Sequence, residues 1–278
     1  MDDPDGNADF LTAIAADTLR ICEAGEYTAP SGKTVVIREA ARAALVGTRL
    51  VRSSSASVSR GSPRVSVTEE ATAACAKRLL TAGHAHVAVL NFANGVHEGG
   101  GFLGGARAQE EQLCRCSALY PILTSGRAAP FYVEQCAAKT ALVLDLVLAS
   151  PFVPFFRDES FALLEEPFLA SVLTSAAPSL GWLRAMVDSR KEPATRWNEI
   201  PDVFARRTRL VLSAAEKLGA DALVLGAWGC GAFGNAPDLV AVKFREAVNE
   251  RGGAFAEICF AIYRGPSENF ASFRRAFP

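Results

Sequence analysis

Two adjacent carboxylates, Glu110 and Glu111, follow three consecutive glycines, Gly99, Gly100 and Gly101, after a short spacer. Glycine lets a ligand approach the backbone closely and takes positive φ without strain, but it loses more backbone entropy on folding than any other residue, so three in a row make poor filler. On a helix, consecutive residues point about 100° apart, so Glu110 and Glu111 cannot do the same job. One can face a bound group while the other anchors it. A carboxyl held among apolar groups and beside a second carboxylate is pushed toward its protonated form, which suits a general acid. As an isolated pair, the two would read as solvated acids favoured by a helix N-terminus. The glycine run beside them weighs against that reading.

The elements on either side say how this stretch is held. Upstream, His86-Val87-Ala88-Val89-Leu90 reads as a buried strand. Downstream, 108–119 reads as a helix with both acids in its first turn. A second apolar strand over 222–226 leads into another glycine loop, Trp228-Gly229-Cys230-Gly231-Ala232-Phe233-Gly234-Asn235, and a helix over 237–248 follows with proline near its start. In open α/β sheets ligands bind beyond the carboxyl ends of the strands. The amides of this loop and the helix N-terminus suit a diphosphate. It is not a Walker loop, since no Lys-Ser/Thr follows. Nor is it a dinucleotide fingerprint, since it lies late in the chain and no acid-ended strand follows at the right distance. Alone, it reads equally well as a tight strand-to-helix turn.

The remaining segments alternate. Helices are expected over 9–25, 40–45, 206–218 and 268–277, and another running to Leu80 with Thr68 as its N-cap and Glu69 and Glu70 in its first turn. Strands are expected over 34–37, 48–51, 64–67, 141–148, 168–173 and 256–263. The stretch 53–63 is rich in serine, glycine and proline and reads as an exposed loop. Pro151 and Pro154 argue against regular structure over 151–158. The stretch 181–204, with Trp182 and Trp197, reads as irregular. Apolar strands alternating with helices predict an α/β fold with both sheet faces covered, and no linker divides the chain into two domains.

Composition closes off several classes. The chain has 278 residues, 50% of them hydrophobic, and a net charge of -1, which gives no global field for DNA or a membrane surface. No apolar run reaches the roughly 20 residues of a membrane span. The acidic start (Asp2, Asp3, Asp5) is unlike a signal peptide. Seven cysteines, an odd number and several of them in apolar runs, read as reduced buried thiols of a cytoplasmic protein. Cys114-x-Cys116 lacks the second pair of a zinc site, and no metal is expected.

Taken together, Gly-Gly-Gly, spacer, Gln109-Glu110-Glu111 resembles the signature of poly(ADP-ribose) glycohydrolases, in their bacterial form. The resemblance extends to Leu90-Asn91-Phe92-Ala93-Asn94, Arg115-x-Ser117-x-Leu119-Tyr120, Val153-Pro154-Phe155-Phe156-Arg157-Asp158 and the loop from Gly229 to Asn235. It implies a macrodomain-like mixed central sheet flanked by helices, forming one catalytic domain over 1–278, with 1–30 as an accessory N-terminal helical extension. It further implies Glu111 as the catalytic acid, Glu110 as the residue that holds the ribose next to the scissile bond, and Gln109 as the support of the loop. Asn94 would bind the distal ribose. Gly99, Gly100 and Gly101 would wrap the ribose and pyrophosphate. Gly229, Cys230, Gly231, Ala232, Phe233 and Gly234 would cradle the diphosphate, with Phe233 orienting the distal ribose. Phe260 and Tyr263 are both candidates to stack on adenine. His97 is as readily a solvated loop histidine as a substrate contact, and His84 and His86 read as structural. Cys230 reads as packing, and Arg115 and Arg157 are placed to pair with acids and stiffen the site.

The implied reaction is hydrolysis of ribose–ribose bonds in poly(ADP-ribose), mainly from the chain end, by a monomer without cofactor. Its partners would be the polymer, ADP-ribose and ADP-ribosylated proteins, with no direct contact to DNA, in a DNA-damage response setting. The competing readings are a macrodomain that binds ADP-ribose without cutting it, and a hydrolase of mono-ADP-ribosyl or O-acetyl-ADP-ribose substrates. A reader needs no acid beside the ribose, and the other hydrolases generally lack Gln-Glu-Glu after the glycines.

Overall fold

The computed structural model describes residues 8–55, 61–263 and 267–278. In chain order its elements are α1 (Ala8–Ala24), β1 (Glu26–Thr28), β2 (Thr34–Val36), α2 (Arg38–Gly47), β3 (Arg49–Val51), β4 (Arg64–Thr68), α3 (Thr72–Thr81), β5 (Val87–Ala93), α4 (Gln109–Cys116), α5 (Leu119–Leu123), α6 (Ala129–Ala138), β6 (Val147–Arg157), β7 (Leu163–Ala176), α7 (Leu180–Asp188), α8 (Ile200–Leu218), β8 (Ala222–Leu225), α9 (Pro237–Arg251), β9 (Glu257–Ala261) and α10 (Ser267–Ala276). Seven strands form one mixed sheet in the order β3-β6-β7-β5-β8-β9-β4. The run from β7 to β4 is parallel, and β6 and β3 are antiparallel additions at one edge. β1 and β2 form a separate antiparallel pair.

Alternate residues of β5 feed two apolar clusters. Val87 and Val89 pack into the one that holds Ile21, Leu79, Leu113 and Phe131; Ala88 and Leu90 pack into the one that holds Phe204, Leu212 and Phe244. A strand buried on both faces has no polar alternation, which is why 87–90 reads as a continuous apolar run. Among the described residues no helix is long and apolar enough to cross a membrane.

Four expectations change. Thr68 is the last residue of β4 rather than a cap, and Ala71 occupies the N-cap position of α3. The Thr68 hydroxyl instead donates to Glu70 Oε1 at 2.7 Å.

The expected strand over 141–148 begins only at Val147, because the polar groups before it are engaged by side chains. Buried Arg207 donates to Leu142 O at 3.0 Å and to Asp145 Oδ1, and Leu144 N donates to Gln135 Oε1 at 2.6 Å. Val143 also turns the chain with φ 54°.

The stretch 151–158 lies mostly inside β6 despite its prolines. Pro151 falls in a register shift between Ser150 and Val153. The Pro154 carbonyl accepts from Ala118 N at 3.0 Å, on the edge away from β7, so its missing N–H costs no ladder bond.

Finally, 181–204 is largely helical. Ser179 caps α7 by accepting from Trp182 N, a 3₁₀ turn spans Ala194–Glu199, and α8 starts at Ile200 with Pro201 in its first turn. Trp182 and Trp197 pack there as partly buried residues. The expected loop over 53–63 lies partly outside the described residues, as do Asp2, Asp3 and Asp5; 53–55 and 61–63 are neither helix nor strand.

Candidate active site

The first glycine loop leaves β5, and α4 turns its first residues back onto that strand. Gln109 stands in for a neighbouring strand: its Oε1 accepts from Phe92 N at 2.9 Å and its Nε2 donates to Leu90 O at 2.7 Å and to Thr72 Oγ1 at 3.1 Å. With Gln109 pinned, Glu110 and Glu111 go where the helical turn sends them.

Glu110 points inward. Its Oε2 accepts from Asn94 N at 2.7 Å and its Oε1 from Asn91 Nδ2 at 3.2 Å, while Asn91 also reaches Thr174 Oγ1. Only 3% of Glu110 is exposed. Burial pushes its pKa up to about 8, although both of these N–H donors pull it down.

Glu111 faces the glycines. Its Oε1 accepts from Gly101 N at 2.8 Å, and its buried Oε2 has no hydrogen-bond partner among the described residues. This closeness requires bare backbone: a methyl on Gly100 would lie 2.4 Å from Glu111 Oε1, and Gly100 has φ +58°. Asn94 Oδ1 accepts from Val96 N and His97 N at 2.9 and 3.0 Å and shapes the start of the loop. His97 is exposed.

Behind the loop, and contrary to expectation, Arg115 forms no ion pair with an acid among the described residues. Its buried guanidinium donates to the carbonyls of Leu11, Ala106 and Phe102 and lies 5.7 Å from the Phe102 ring centroid. Burial holds its pKa below the usual value. Arg157 does pair with an acid, Asp17 of α1. Helix α1 therefore clasps the back of the loop: Thr18 Oγ1 donates to Arg115 O at 2.8 Å, and Gly105 lies against the backbone of Ala8.

The second loop leaves β8, which is the parallel neighbour of β5, so both loops emerge at the same end of the sheet. From there it crosses the end of β5 to reach β7. Trp228 Nε1 donates to Ser175 O at 3.1 Å, and Asn235 Nδ2 donates to Pro178 O at 2.8 Å and Gly229 O at 2.9 Å. Gly229 has φ +74°, and a methyl there would meet Ala177 Cβ at 2.6 Å. Gly231, Ala232 and Gly234 are exposed, Phe233 and Cys230 are half-buried, and Phe233 O accepts from Leu180 N at 2.9 Å. Burial pushes the Cys230 thiol up to about 12.

Of the two aromatics considered for adenine, Phe260 is fully buried and stacked on Phe277 at 4.4 Å, whereas Tyr263 is 41% exposed. Phe260 is thus a core residue and has no free face. His86 stacks on Phe152 and bonds Ser171, and His84 lies 3.2 Å from Glu257, both away from the two glycine loops. Three contributors carry little signal by spacing: Asn91, Arg115 and Asn235 each hold at least one partner far away in sequence, Thr174, Leu11 and Pro178 respectively. The polar Asn91 inside an apolar strand was the most readable of them.

Sequence comparison matches residues 15–158 to the catalytic domain of microbial-type PARG, a span that holds the first loop and ends before the second. No curated protein matches the chain. Among solved structures, poly(ADP-ribose) glycohydrolase (PARG) from Thermomonospora curvata superposes with a TM-score of 0.85 at 42% identity, covering 97% of this chain and all of that one. The same enzyme bound to the inhibitor ADP-HPD gives 0.84 at 43%. PARG from Deinococcus radiodurans in complex with ADP-ribose gives 0.75 at 38%, covering 85% of this chain and 96% of that one. With its acids and glycines standing at the ends of adjacent parallel strands in that shared fold, this chain belongs to the microbial-type poly(ADP-ribose) glycohydrolase family.

Proposed function

We propose that the protein hydrolyses the ribose–ribose O-glycosidic bonds of poly(ADP-ribose) and releases ADP-ribose, with Glu111 as general acid and base. The single observation that carries this role is the asymmetry of the two acids. Both oxygens of Glu110 are engaged by N–H donors, whereas Glu111 Oε2 has no partner among the described residues, beside the glycine loop. Glu111 protonates the leaving 2′-oxygen as the glycosidic bond breaks and an oxocarbenium-like sugar forms. Water then adds to that sugar and returns a proton to the Glu111 carboxylate. Glu110 positions the ribose, and Gln109 holds α4 against β5. Asn94 lies where the loop begins and contacts the distal ribose. The exposed backbone around Gly231 and Ala232 takes the diphosphate, and Phe233 orients the distal ribose.

We read the whole chain as one catalytic unit, α1 included, because α1 contacts the catalytic loop directly. The crossing of the second loop over the end of β5 supports a groove closed at one end, and with it cleavage mainly from the chain end. Polymer with a blocked terminus should then be cut much more slowly than polymer with a free one.

The test is Glu111→Gln assayed on poly(ADP-ribose), with ADP-ribose release as the readout. Turnover should fall by at least the roughly 10²–10⁴-fold typical of general acid catalysis, with ADP-ribose binding retained. Near-normal turnover would remove Glu111 from the mechanism. A wild-type protein that binds the polymer and releases nothing would be a reader.

A further inference from the structure

Outside this site, α3 and β9 bring two buried thiols together. Cys75 on α3 and Cys259 on β9 are both fully buried, and their sulfurs and a Glu70 oxygen all lie within 4.8 Å of one another. Arg78 Nη2 is 3.5 Å from each sulfur and is ion-paired with Glu70 at 2.6 Å. The Thr68 hydroxyl lies 3.2 Å from Cys259 Sγ. The same three donors would suit a metal ion, but Arg78 already supplies the positive charge there. The Arg78 side chain is 42% exposed, so the sulfurs lie one guanidinium below solvent.

We propose that Cys75 and Cys259 are an oxidation site, at which a hydroperoxide converts the two thiols into an internal disulfide between α3 and β9. The surroundings favour Cys259 as the attacking sulfur. The neighbouring Cys75 thiol foremost, together with the Arg78 charge, pulls its pKa down against the opposing effect of burial, while its partner Cys75 is pushed up.

The Cys259 thiolate attacks one peroxide oxygen, the O–O bond breaks and hydroxide leaves. The Cys75 sulfur then attacks the Cys259 sulfenic acid. The S–S bond forms, the S–O bond breaks, and the Cys75 proton leaves with the departing hydroxide as water. Together the sulfurs lose two electrons, and counted from two thiols one hydrogen peroxide becomes two waters. Closing the bond needs the sulfurs to approach to about 2.05 Å. That draws in α3, whose first residue, Thr72, accepts the hydrogen bond from Gln109.

The experiment treats the folded wild-type chain with hydrogen peroxide, alkylates remaining thiols after denaturation and maps the peptides. The expected result is a Cys75–Cys259 linked peptide, two hydrogens lighter than its parts and reversed by dithiothreitol. It should form at least about fivefold faster than oxidation of Cys136, the exposed cysteine. Cys75 and Cys259 both recovered as free thiols while Cys136 is oxidised would overturn the proposal. In Cys75→Ser, a sulfenic acid trapped by dimedone on Cys259 confirms the order of attack. In Arg78→Met, bridge formation should slow several-fold. The wild-type measurement stands even if a variant fails to fold.

Discussion

The two glycine loops leave neighbouring parallel strands at the same end of the sheet, yet they are held in opposite ways. The first is closed by side chains that come from outside it: Glu110 on Asn94, Glu111 on Gly101, and Arg115 on the carbonyls of Phe102 and Ala106. The second fixes mainly its ends, through Asn235 on Gly229 and Trp228 on Ser175, and leaves Gly231 and Ala232 exposed. A loop braced from behind keeps a carboxylate oxygen in place. A loop anchored only at its ends presents backbone to a ligand. The difference fits the roles proposed above, with the first loop positioning the acid and the second binding the diphosphate.

Substitutions can break this contrast at several points. The largest effect after loss of Glu111 itself is expected at Gly100. In Gly100→Ala, a methyl 2.4 Å from Glu111 Oε1, on a residue with φ +58°, must push the acid away. ADP-ribose release should fall by about 10²-fold, the scale on which a misplacement of about 1 Å acts. Unchanged release would mean that the glycines do not set the acid's position.

Glu110 is expected to appear in stability instead. Its folded pKa is about 8, raised above an ordinary carboxyl near 4.5. Between those values the folded state holds the extra proton, so stability should decline as pH rises from about 4.5 through about 8. The accumulated loss should be on the order of a few kcal/mol. Chemical denaturation of wild type and Glu110→Gln across that range would show it, as a slope that the variant lacks.

In the second loop, Asn235→Ala removes two hydrogen bonds that tie its end to Pro178 and Gly229. The expected cost is about 1–3 kcal/mol of stability, with weaker ADP-ribose binding. The smallest folding effect belongs to Gly231→Ala, where a methyl meets nothing within 4 Å. Stability should stay within about 0.5 kcal/mol of wild type while ADP-ribose affinity drops. If calorimetry finds the affinity unchanged, this loop does not hold the diphosphate.

How much of this the sequence could show follows from the range of each interaction. Strands β5 and β8 and the turn that starts α4 are legible because their signals are local: an apolar run, then glycines, then acids. The start of β6 is not, since Val143, Leu144 and Asp145 look strand-like until Arg207 and Gln135 take up their polar groups. Pro151 and Pro154 mislead for a related reason. A proline excludes a strand only where its missing N–H faces a partner, and that is decided by the register of β6 on β7. The inward aim of Glu110 depends on Asn91 and on the Asn94 amide meeting it across the loop, and the raised pKa foreseen for a carboxyl of the pair falls on the anchoring acid, Glu110. Phe260 reads in sequence as a candidate ligand face, but β9 carries it into the core beside Phe273 and Phe277.

The clasp of α1 on Arg115 also bears on the order of events during folding. Leu11 and Thr18 meet their partner across sequence separations of 104 and 97 residues. Helix α1 is made about a hundred residues before its partners, so the loop that Glu111 braces can set only after a long-range closure, the slow kind. Activity should therefore recover after dilution from denaturant later than helical signal does, with the interval reporting the docking of α1.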